Sequence, residues 1–211
     1  KLKKVKTEDA LIKIMSSPNH SNKNWITSQY DQMVMCDTVR RSGSDAAIIR
    51  IHNKGKGIAV TVDSSANYCK SHPLTGGKQI VCENWRNLIS VGAKPLAITN
   101  CLNFGNPENK EIMGEFAESL LGIKEACEFL DYPVVSGNVS FYNGTNQKNI
   151  HPTPVIGGVG LIKDLSTSLS HNFKKEKSLI ILIGKTFGHL EQSSFLKENY
   201  SIVDGRPPDI N

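Results

Sequence analysis

The first third of the chain alternates between short apolar runs and clusters of turn-forming residues. Apolar and β-branched residues occupy 33–39, 46–51 and 57–62. Serine, glycine and asparagine separate these runs at 42–44 and 53–55. Short runs of this composition bounded by turn formers are typical of strands. The pattern therefore predicts three strands that begin an antiparallel sheet.

The spacing of apolar residues changes to a helical period farther along the chain. One helix is predicted over 76–93, behind a Gly-Gly start, and a longer one over 108–130. The longer segment carries an apolar residue at every third or fourth position: Ile112, Phe116, Leu120, Ile123, Cys127 and Leu130. A short helix over 7–15 precedes them, and it is expected to end before Pro18.

Three further strands are predicted on either side of these helices, at 96–99, 134–135 and 155–161. Strands that intermingle with helices indicate an α/β (α+β) domain, here with a mixed sheet and flanking helices. A polar stretch at 166–177 follows, and the run Ser178-Leu-Ile-Ile-Leu-Ile-Gly184 predicts a buried strand that opens a second unit.

Composition excludes several classes of function. The chain has 25 basic and 20 acidic residues, a net charge of +5, and only 7% aromatic residues. Since the lysines are dispersed and no basic run interleaves with aromatic residues, we expect no nucleic-acid partner. The five cysteines show no zinc-ligand spacing, and no apolar run reaches the length of a membrane span. A soluble, cytoplasmic protein without a membrane partner is expected.

The first candidate site is the polar segment 99–108, which follows a predicted strand. Asn100, Asn103 and Asn106 offer amide groups, and Gly105 permits close approach of a ligand to the backbone. The alternative is an Asx-turn loop that only caps the following helix. Spacing alone leaves both interpretations open.

The second candidate site lies within 134–144, where a β-branched strand leads into a bend. Gly137 could bring backbone amides close to a phosphate. Asn138 could offer a carbonyl oxygen to Mg²⁺, and Ser140 would face the same ligand if the segment stays extended. The alternative is a hairpin turn in which these side chains bind only local backbone groups.

Two long motifs carry a resemblance to a known family. The stretches Leu102-Asn-Phe-Gly-Asn-Pro-Glu108 and Pro133-Val-Val-Ser-Gly-Asn-Val-Ser-Phe-Tyr-Asn143, with supporting matches at 28–31 and 152–157, resemble phosphoribosylformylglycinamidine synthases. The likeness runs from about residue 10 to the end.

The resemblance implies an interior segment of a protein built from two pseudo-symmetric halves. Residues 29–163 would form an aminoimidazole ribonucleotide synthetase N-terminal-like domain of the second half. Residues 1–28 would be the end of the preceding domain and a linker, and 164–211 the truncated beginning of a C-terminal-like domain. Because the family domain packs its sheet against its first-half counterpart, we expect an exposed apolar face and self-association.

The implied activity is an ATP-dependent, amidine-forming ligase of purine biosynthesis, acting on formylglycinamide ribonucleotide and glutamine-derived ammonia. By position, Gly137 and Asn100 would contact ATP, Asn138 would bind Mg²⁺, and Ser140 would contact the substrate. The family often has aspartate at position 100, so a metal role is not carried over to Asn100.

The implied partners are a glutaminase subunit, a small accessory subunit and the first half of the full-length chain. The family's catalytic histidine belongs to that first half, so no catalytic residue is expected in this segment and the segment alone should be inactive. The alternative is a non-catalytic, pseudo-symmetric scaffold that holds a structural nucleotide.

Overall fold

Strands and helices alternate along the central part of the chain. The computed structural model describes residues 2–146 and 148–210. Its strands are β1 (Thr38–Arg40), β2 (Ala47–Ile51), β3 (Lys56–Ser64), β4 (Lys94–Asn103), β5 (Val134–Ser140), β6 (Gly144–Thr145), β7 (Lys148–Asn149) and β8 (Thr153–Ile162). Its helices are α1 (Thr7–Met15), α2 (Asn24–Thr27), α3 (Ala66–Ser71), α4 (Pro73–Ser90), α5 (Lys110–Leu130) and α6 (Ser194–Tyr200).

Six strands form one mixed sheet in the order β1-β2-β3-β8-β4-β5. The antiparallel start predicted for the first three strands is confirmed. β8 is antiparallel to both β3 and β4, and β5 is parallel to β4. The carboxyl ends of β3, β4 and β5 therefore meet at one edge of the sheet, as expected for strands that run in one direction.

Helices α4 and α5 form the layer that covers one face of the sheet. Ile80, Val81 and Leu88 of α4 are fully buried in the core that α4 shares with the sheet. The apolar stripe predicted for α5 is confirmed, since its residues are buried in this core or packed against it. The two helices approach closely at Gly77 and Gly122.

A buried polar network joins this helix layer to the sheet. Asn84 of α4 is fully buried, and its Nδ2 donates to Asp63 Oδ2 at 2.8 Å and to the Ile156 carbonyl oxygen at 3.1 Å. The Tyr132 hydroxyl donates to Asn84 Oδ1 at 2.8 Å, and burial raises the pKa of this phenol. A Cβ on Gly158 would collide with both Asn84 and Tyr132, so this glycine makes room for the network.

The opposite face of the sheet, which we call the open face, lacks a covering layer among the described residues. Because side chains alternate along a strand, the buried residues point to the helices and their neighbours point to the open face. The open face exposes large apolar side chains on its central strands: Ile49, Ile58, Val62 and Val159. This arrangement agrees with the expected apolar sheet face.

Several predicted boundaries are wrong. The segment 33–39 is not one strand, because Met35 and Cys36 adopt positive φ angles of 58° and 55° in a turn before β1. The helix predicted over 76–93 begins at Pro73, and its Gly-Gly pair lies inside α4. Gly76 and Gly77 allow close contact with α3 and α5, respectively, so they are packing positions and do not start the helix.

The predicted buried strand at Ser178–Gly184 is also wrong. The structure has no strand there, and the five apolar side chains of 179–183 are 77% to 92% exposed. A buried strand needs neighbours for its backbone groups and side chains, and the described residues supply none for this segment. None of the helices in the described ranges is long and apolar enough to cross a membrane.

Candidate functional site

The two polar segments singled out from the sequence lie side by side in the sheet. The first five residues of 99–108 belong to β4, and Ser136 to Ser140 belong to β5. The prediction of loops or a bend is therefore wrong for 99–103 and for 136–140, whereas 104–108 do form a loop. The hairpin alternative is also wrong for 136–140, because β5 pairs in parallel with β4. The sheet can accommodate such polar residues because β5 is an edge strand with exposed side chains.

The register of β4 and β5 divides the four predicted site residues between two faces. Asn100 lies opposite Gly137, on the helix face with the buried Ile98. Asn138 and Ser140, two residues apart on an extended strand, lie on the open face beside Cys101 and Asn103. The structure therefore brings Asn138 and Ser140 together, whereas the side chain of Asn100 lies on the other side of the sheet.

Gly137 combines a close packing contact with a free backbone edge. A Cβ at this position would collide with Asn100 Oδ1, so glycine gives the Asn100 side chain its place. The Phe104 N–H donates to the Ser140 carbonyl oxygen at 3.0 Å. Since alternate residues of a parallel ladder face the neighbouring strand, Gly137 directs its N–H and carbonyl to the free edge. These groups are available to a ligand.

Asn100 borders a cavity of about 520 Å³ on the helix face. The opposite wall comes from α5 and the turn after it, including Ile123, Lys124 and Glu128. The site thus has two compartments on opposite faces of the sheet: this cavity, which Asn100 borders, and the open face at Asn138 and Ser140.

The connections that follow β4 and β5 are locked together by asparagine side chains. Asn143 Nδ2 donates to the Phe104 carbonyl at 3.0 Å and to the Ser140 carbonyl at 2.9 Å. Asn149 Oδ1 accepts from the Asn106 N–H at 2.9 Å. A Cβ on Gly105 would collide with Asn149, which explains glycine at that position.

The Asx-turn interpretation holds for part of the first segment. Asn106 Oδ1 accepts from the Glu108 N–H at 2.9 Å, and Asn109 Oδ1 caps α5 by accepting from the Glu111 N–H at 2.9 Å. Asn103 donates to the Thr153 carbonyl at 3.3 Å. These asparagines hold backbone in place.

Residues 43–162, more than half of the chain, match the family model of the AIR synthase related protein, N-terminal domain. This chain belongs to the AIR synthase related family. The matched residues include strands β2 to β8, helices α4 and α5, and the four predicted site residues. The prediction of a synthetase N-terminal-like domain with a mixed sheet and flanking helices is confirmed.

Curated relatives and solved structures agree with this assignment. The phosphoribosylformylglycinamidine synthase subunit PurL of Pelagibacter ubique is 56% identical over 209 residues, which cover 99% of this chain and 29% of that protein. PurLQS from Thermotoga maritima is 37% identical with a TM-score of 0.67, and the match covers 72% of this chain and 25% of that one. The chain therefore spans less than a third of these relatives.

Thermotoga maritima PurL has also been solved with ATP and with FGAR. Both complexes are 39% identical to this chain, with TM-scores of 0.59 and 0.60, and each match covers 67% of this chain and 23% of that protein. One solved relative of this chain has thus been captured in one structure with ATP and in another with FGAR.

The donor set of the open face fits a magnesium ion only in part. Asn138 offers one hard oxygen ligand, and no group of three or more His, Cys, Asp or Glu side chains within 2–146 and 148–210 could hold a metal. Mg²⁺ commonly takes one or two protein oxygens and completes its shell with water and phosphate oxygens. A single asparagine at an exposed strand end fits that mode and does not fit a dedicated all-protein cage.

The backbone contacts of Asn143 and Asn149 after β4 and β5 were not predicted from the sequence. Asn143 stands in the second family motif, but the composition of that motif does not indicate that the Asn143 amide contacts the end of β4. Asn149 lies 43 residues from its partner Asn106. Only the parallel pairing of β4 and β5 brings these segments together, so local sequence contained no signal for either contact.

Proposed function

We propose that this chain is the N-terminal-type domain in the second half of a phosphoribosylformylglycinamidine synthase. The complete enzyme would use ATP to convert formylglycinamide ribonucleotide and glutamine-derived ammonia to formylglycinamidine ribonucleotide. The pairing of β4 with β5 carries the proposal, because it sets Asn100 beside Gly137 on the helix face of the sheet and leaves Asn138 and Ser140 on the open face. The 56% identity to a PurL subunit over 99% of the chain supports it.

Each proposed role follows from the surroundings of the residue. The Gly137 backbone, at the free edge, would donate to an ATP oxygen, and Asn100 would contact ATP from the adjoining cavity. Asn138 Oδ1 would ligate Mg²⁺, and the Ser140 hydroxyl would donate to the substrate. Mg²⁺ would neutralise phosphate charge. Positioning and charge stabilisation account for most catalysis in phosphoryl transfer, so no nucleophilic side chain is needed here.

We also propose the division of the chain and its partners. Residues 1–28 end a preceding domain, 29–163 form the nucleotide-facing domain, and 164–211 begin a C-terminal-like domain. The exposed apolar segment 179–183 supports this last assignment, since it would become buried in a completed domain. The first half of the chain, a glutaminase subunit and a small accessory subunit are the proposed partners, and the name PurLQS of the Thermotoga relative supports a multisubunit complex.

Substitution of Asn138 in the full-length protein tests the proposal. Loss of a metal ligand in Asn138→Ala should raise the Mg²⁺ concentration for half-maximal turnover by about tenfold, with a lower kcat. Asn67→Ala, which removes an exposed asparagine from α3, is the matched control and should leave both unchanged. Turnover would be measured with formylglycinamide ribonucleotide, ATP and ammonia across a Mg²⁺ titration.

The scaffold alternative predicts a different result. If this half only held a structural nucleotide, Asn138→Ala would leave turnover and its Mg²⁺ dependence unchanged. Such an outcome, in a variant that unfolds at the same urea concentration as wild type, would replace the proposed role with the scaffold.

A further inference from the structure

The side chain of Asn143 contacts both the carbonyl oxygen and the hydroxyl oxygen of Ser140. Its Nδ2 lies 2.9 Å from the Ser140 carbonyl oxygen, 3.2 Å from Ser140 Oγ and 3.0 Å from the Phe104 carbonyl oxygen. Its Oδ1 lies 3.4 Å from Ser140 Oγ. We infer that Asn143 is a positioning residue that fixes the end of β5 and leaves the Ser140 hydroxyl free to donate to the bound substrate. The inference rests on the proposed function.

The number of protons on the amide supports this division of roles. A primary amide has two N–H donors, and three oxygens lie around Asn143 Nδ2. The two shortest contacts go to carbonyl oxygens, so the donors are committed to the backbone of Phe104 and Ser140. The Ser140 hydroxyl is left with the two longest contacts, which are the weakest. A ligand oxygen can therefore accept a hydrogen bond from the Ser140 hydroxyl, and only a weak contact within the protein is lost.

Asn143 is itself held by the backbone. Its N–H donates to the Phe104 carbonyl at 3.1 Å, and its carbonyl accepts from the Ile150 N–H at 3.1 Å. The preceding residue, Tyr142, adopts a positive φ of 60° and donates its N–H to the Gly105 carbonyl at 2.9 Å. A side chain on such a fixed backbone loses little further entropy when it binds. The hydrogen bonds from the Asn143 side chain to the Phe104 and Ser140 carbonyls, which we call the Asn143 clamp, are therefore formed before any ligand binds.

A carboxylate could not replace this amide. In the substitution Asn143→Asp, the carboxylate has no N–H to donate, and one of its oxygens would face the carbonyl oxygens of Phe104 and Ser140, which is a repulsive contact. The structure therefore explains asparagine at this position in the motif by the geometry of two strand ends.

The test compares two asparagines of the same connection in the full-length protein. Asn143→Ala should raise the KM for formylglycinamide ribonucleotide by about tenfold and change the KM for ATP by less than about twofold. Asn149→Ala loosens the same connection at Asn106 without touching Ser140, so it should leave the substrate KM within about twofold. In a Ser140→Ala background, Asn143→Ala should add no further increase, because it acts through Ser140.

Three kinetic outcomes would overturn the inference: equal increases in substrate KM for Asn143→Ala and Asn149→Ala, additive effects of Asn143→Ala and Ser140→Ala, or no effect of Ser140→Ala. A wild-type enzyme that fails to turn over formylglycinamide ribonucleotide would instead overturn the proposed function. In that case, amide hydrogen exchange still tests whether the Asn143 clamp holds the end of β5. The Phe104 amide, which donates to the Ser140 carbonyl, should exchange about tenfold faster in Asn143→Ala than in Asn149→Ala, and equal exchange rates would overturn it.

Discussion

At the scale of single residues, the same side chain serves different roles in neighbouring positions. Asn106 and Asn109 satisfy backbone N–H groups around the start of α5, and Asn143 satisfies carbonyl groups at two strand ends. Asn138 instead projects from an exposed edge strand. An amide both donates and accepts, so the backbone groups within its reach decide whether it is structural or available to a ligand.

Asp63 shows how burial alters a single ionisable group. Its carboxylate accepts hydrogen bonds from Asn84 and Asn87, both at 2.8 Å. Burial raises its pKa above the ordinary 3.8, the negative charge of Asp45 adds to the rise, and hydrogen bonds from Asn84, Thr61 and Asn87 oppose it. The folded protein therefore holds this proton at a higher pH than the unfolded chain does.

This raised pKa predicts a pH-dependent stability with a definite sign. The contribution of Asp63 is fully present below its unfolded pKa and is lost as pH rises through its folded pKa. The free energy of unfolding of wild type, minus that of Asp63→Asn, should therefore decrease as pH rises from about 3.5 to 7 in urea titrations. An increase over this range would contradict the prediction.

Asp164 supplies a control of opposite sign. Its carboxylate is exposed and accepts from the Ser166 hydroxyl and N–H, which lower its pKa. The contribution of a carboxyl with a depressed pKa is present above its unfolded pKa and is lost as pH falls. The free energy of unfolding of wild type, minus that of Asp164→Asn, should accordingly increase with pH.

At the scale of elements, the contact between α4 and α5 depends on two glycines. A Cβ on Gly77 would collide with the Ser119 carbonyl oxygen, and a Cβ on Gly122 would collide with the Leu74 carbonyl oxygen. Each helix therefore brings a glycine against the backbone of the other. Because backbone cannot rotate away as a long side chain can, any larger residue must separate the helices.

Two alanine substitutions on α5 separate this packing effect from helix propensity. Gly122→Ala should destabilise the protein by about 1–3 kcal/mol, because the added methyl group meets the backbone of α4. Gly114→Ala, on the same helix with open space around the new Cβ, should stabilise it by about 0.5–1 kcal/mol. Urea unfolding measures both, and a stabilised Gly122→Ala would refute the close contact.

At the scale of the whole molecule, the described residues cover the sheet on one face only. Its open face is apolar over β2, β3 and β8 and polar at the ends of β4 and β5, where Asn138 and Ser140 lie. The apolar part suits the proposed counterpart from the first half of the complete protein. The polar part would then border a cleft at the rim of that contact, which is a suitable place for a charged substrate.

The open face predicts self-association of the 211-residue chain. Val62 lies on this face and is 66% exposed, so Val62→Lys should weaken association at least about tenfold by placing a charge in the contact. Ile181→Lys alters the separate exposed segment 179–183 and should leave association intact. Sedimentation velocity over a concentration series distinguishes them. A wild-type chain that stays monomeric, or an effect confined to Ile181→Lys, would refute the role of the sheet face.

Local patterns in the sequence determined those parts of the fold that depend on local spacing. The helical period of α5 and the turn-bounded runs of the first strands were sufficient to predict a mixed sheet with flanking helices. The two long motifs led to the prediction of a synthetase N-terminal-like domain, which the match over 43–162 confirms. Amphipathic periods persist in the fold because each element buries its own apolar side.

Tertiary structure alone decided what the polar segments become. Asn100 to Asn103 and Ser136 to Ser140 have the composition of loops, yet pairing with β8 and β4 makes them strands. The same pairing assigns Asn100 to one face and Asn138 to the other, and it carries Asn143 to the end of β4. Conversely, the apolar run 179–183 remains exposed without a neighbouring strand. Strand pairing joins residues that are distant in sequence, so no local pattern specifies its partner or its register.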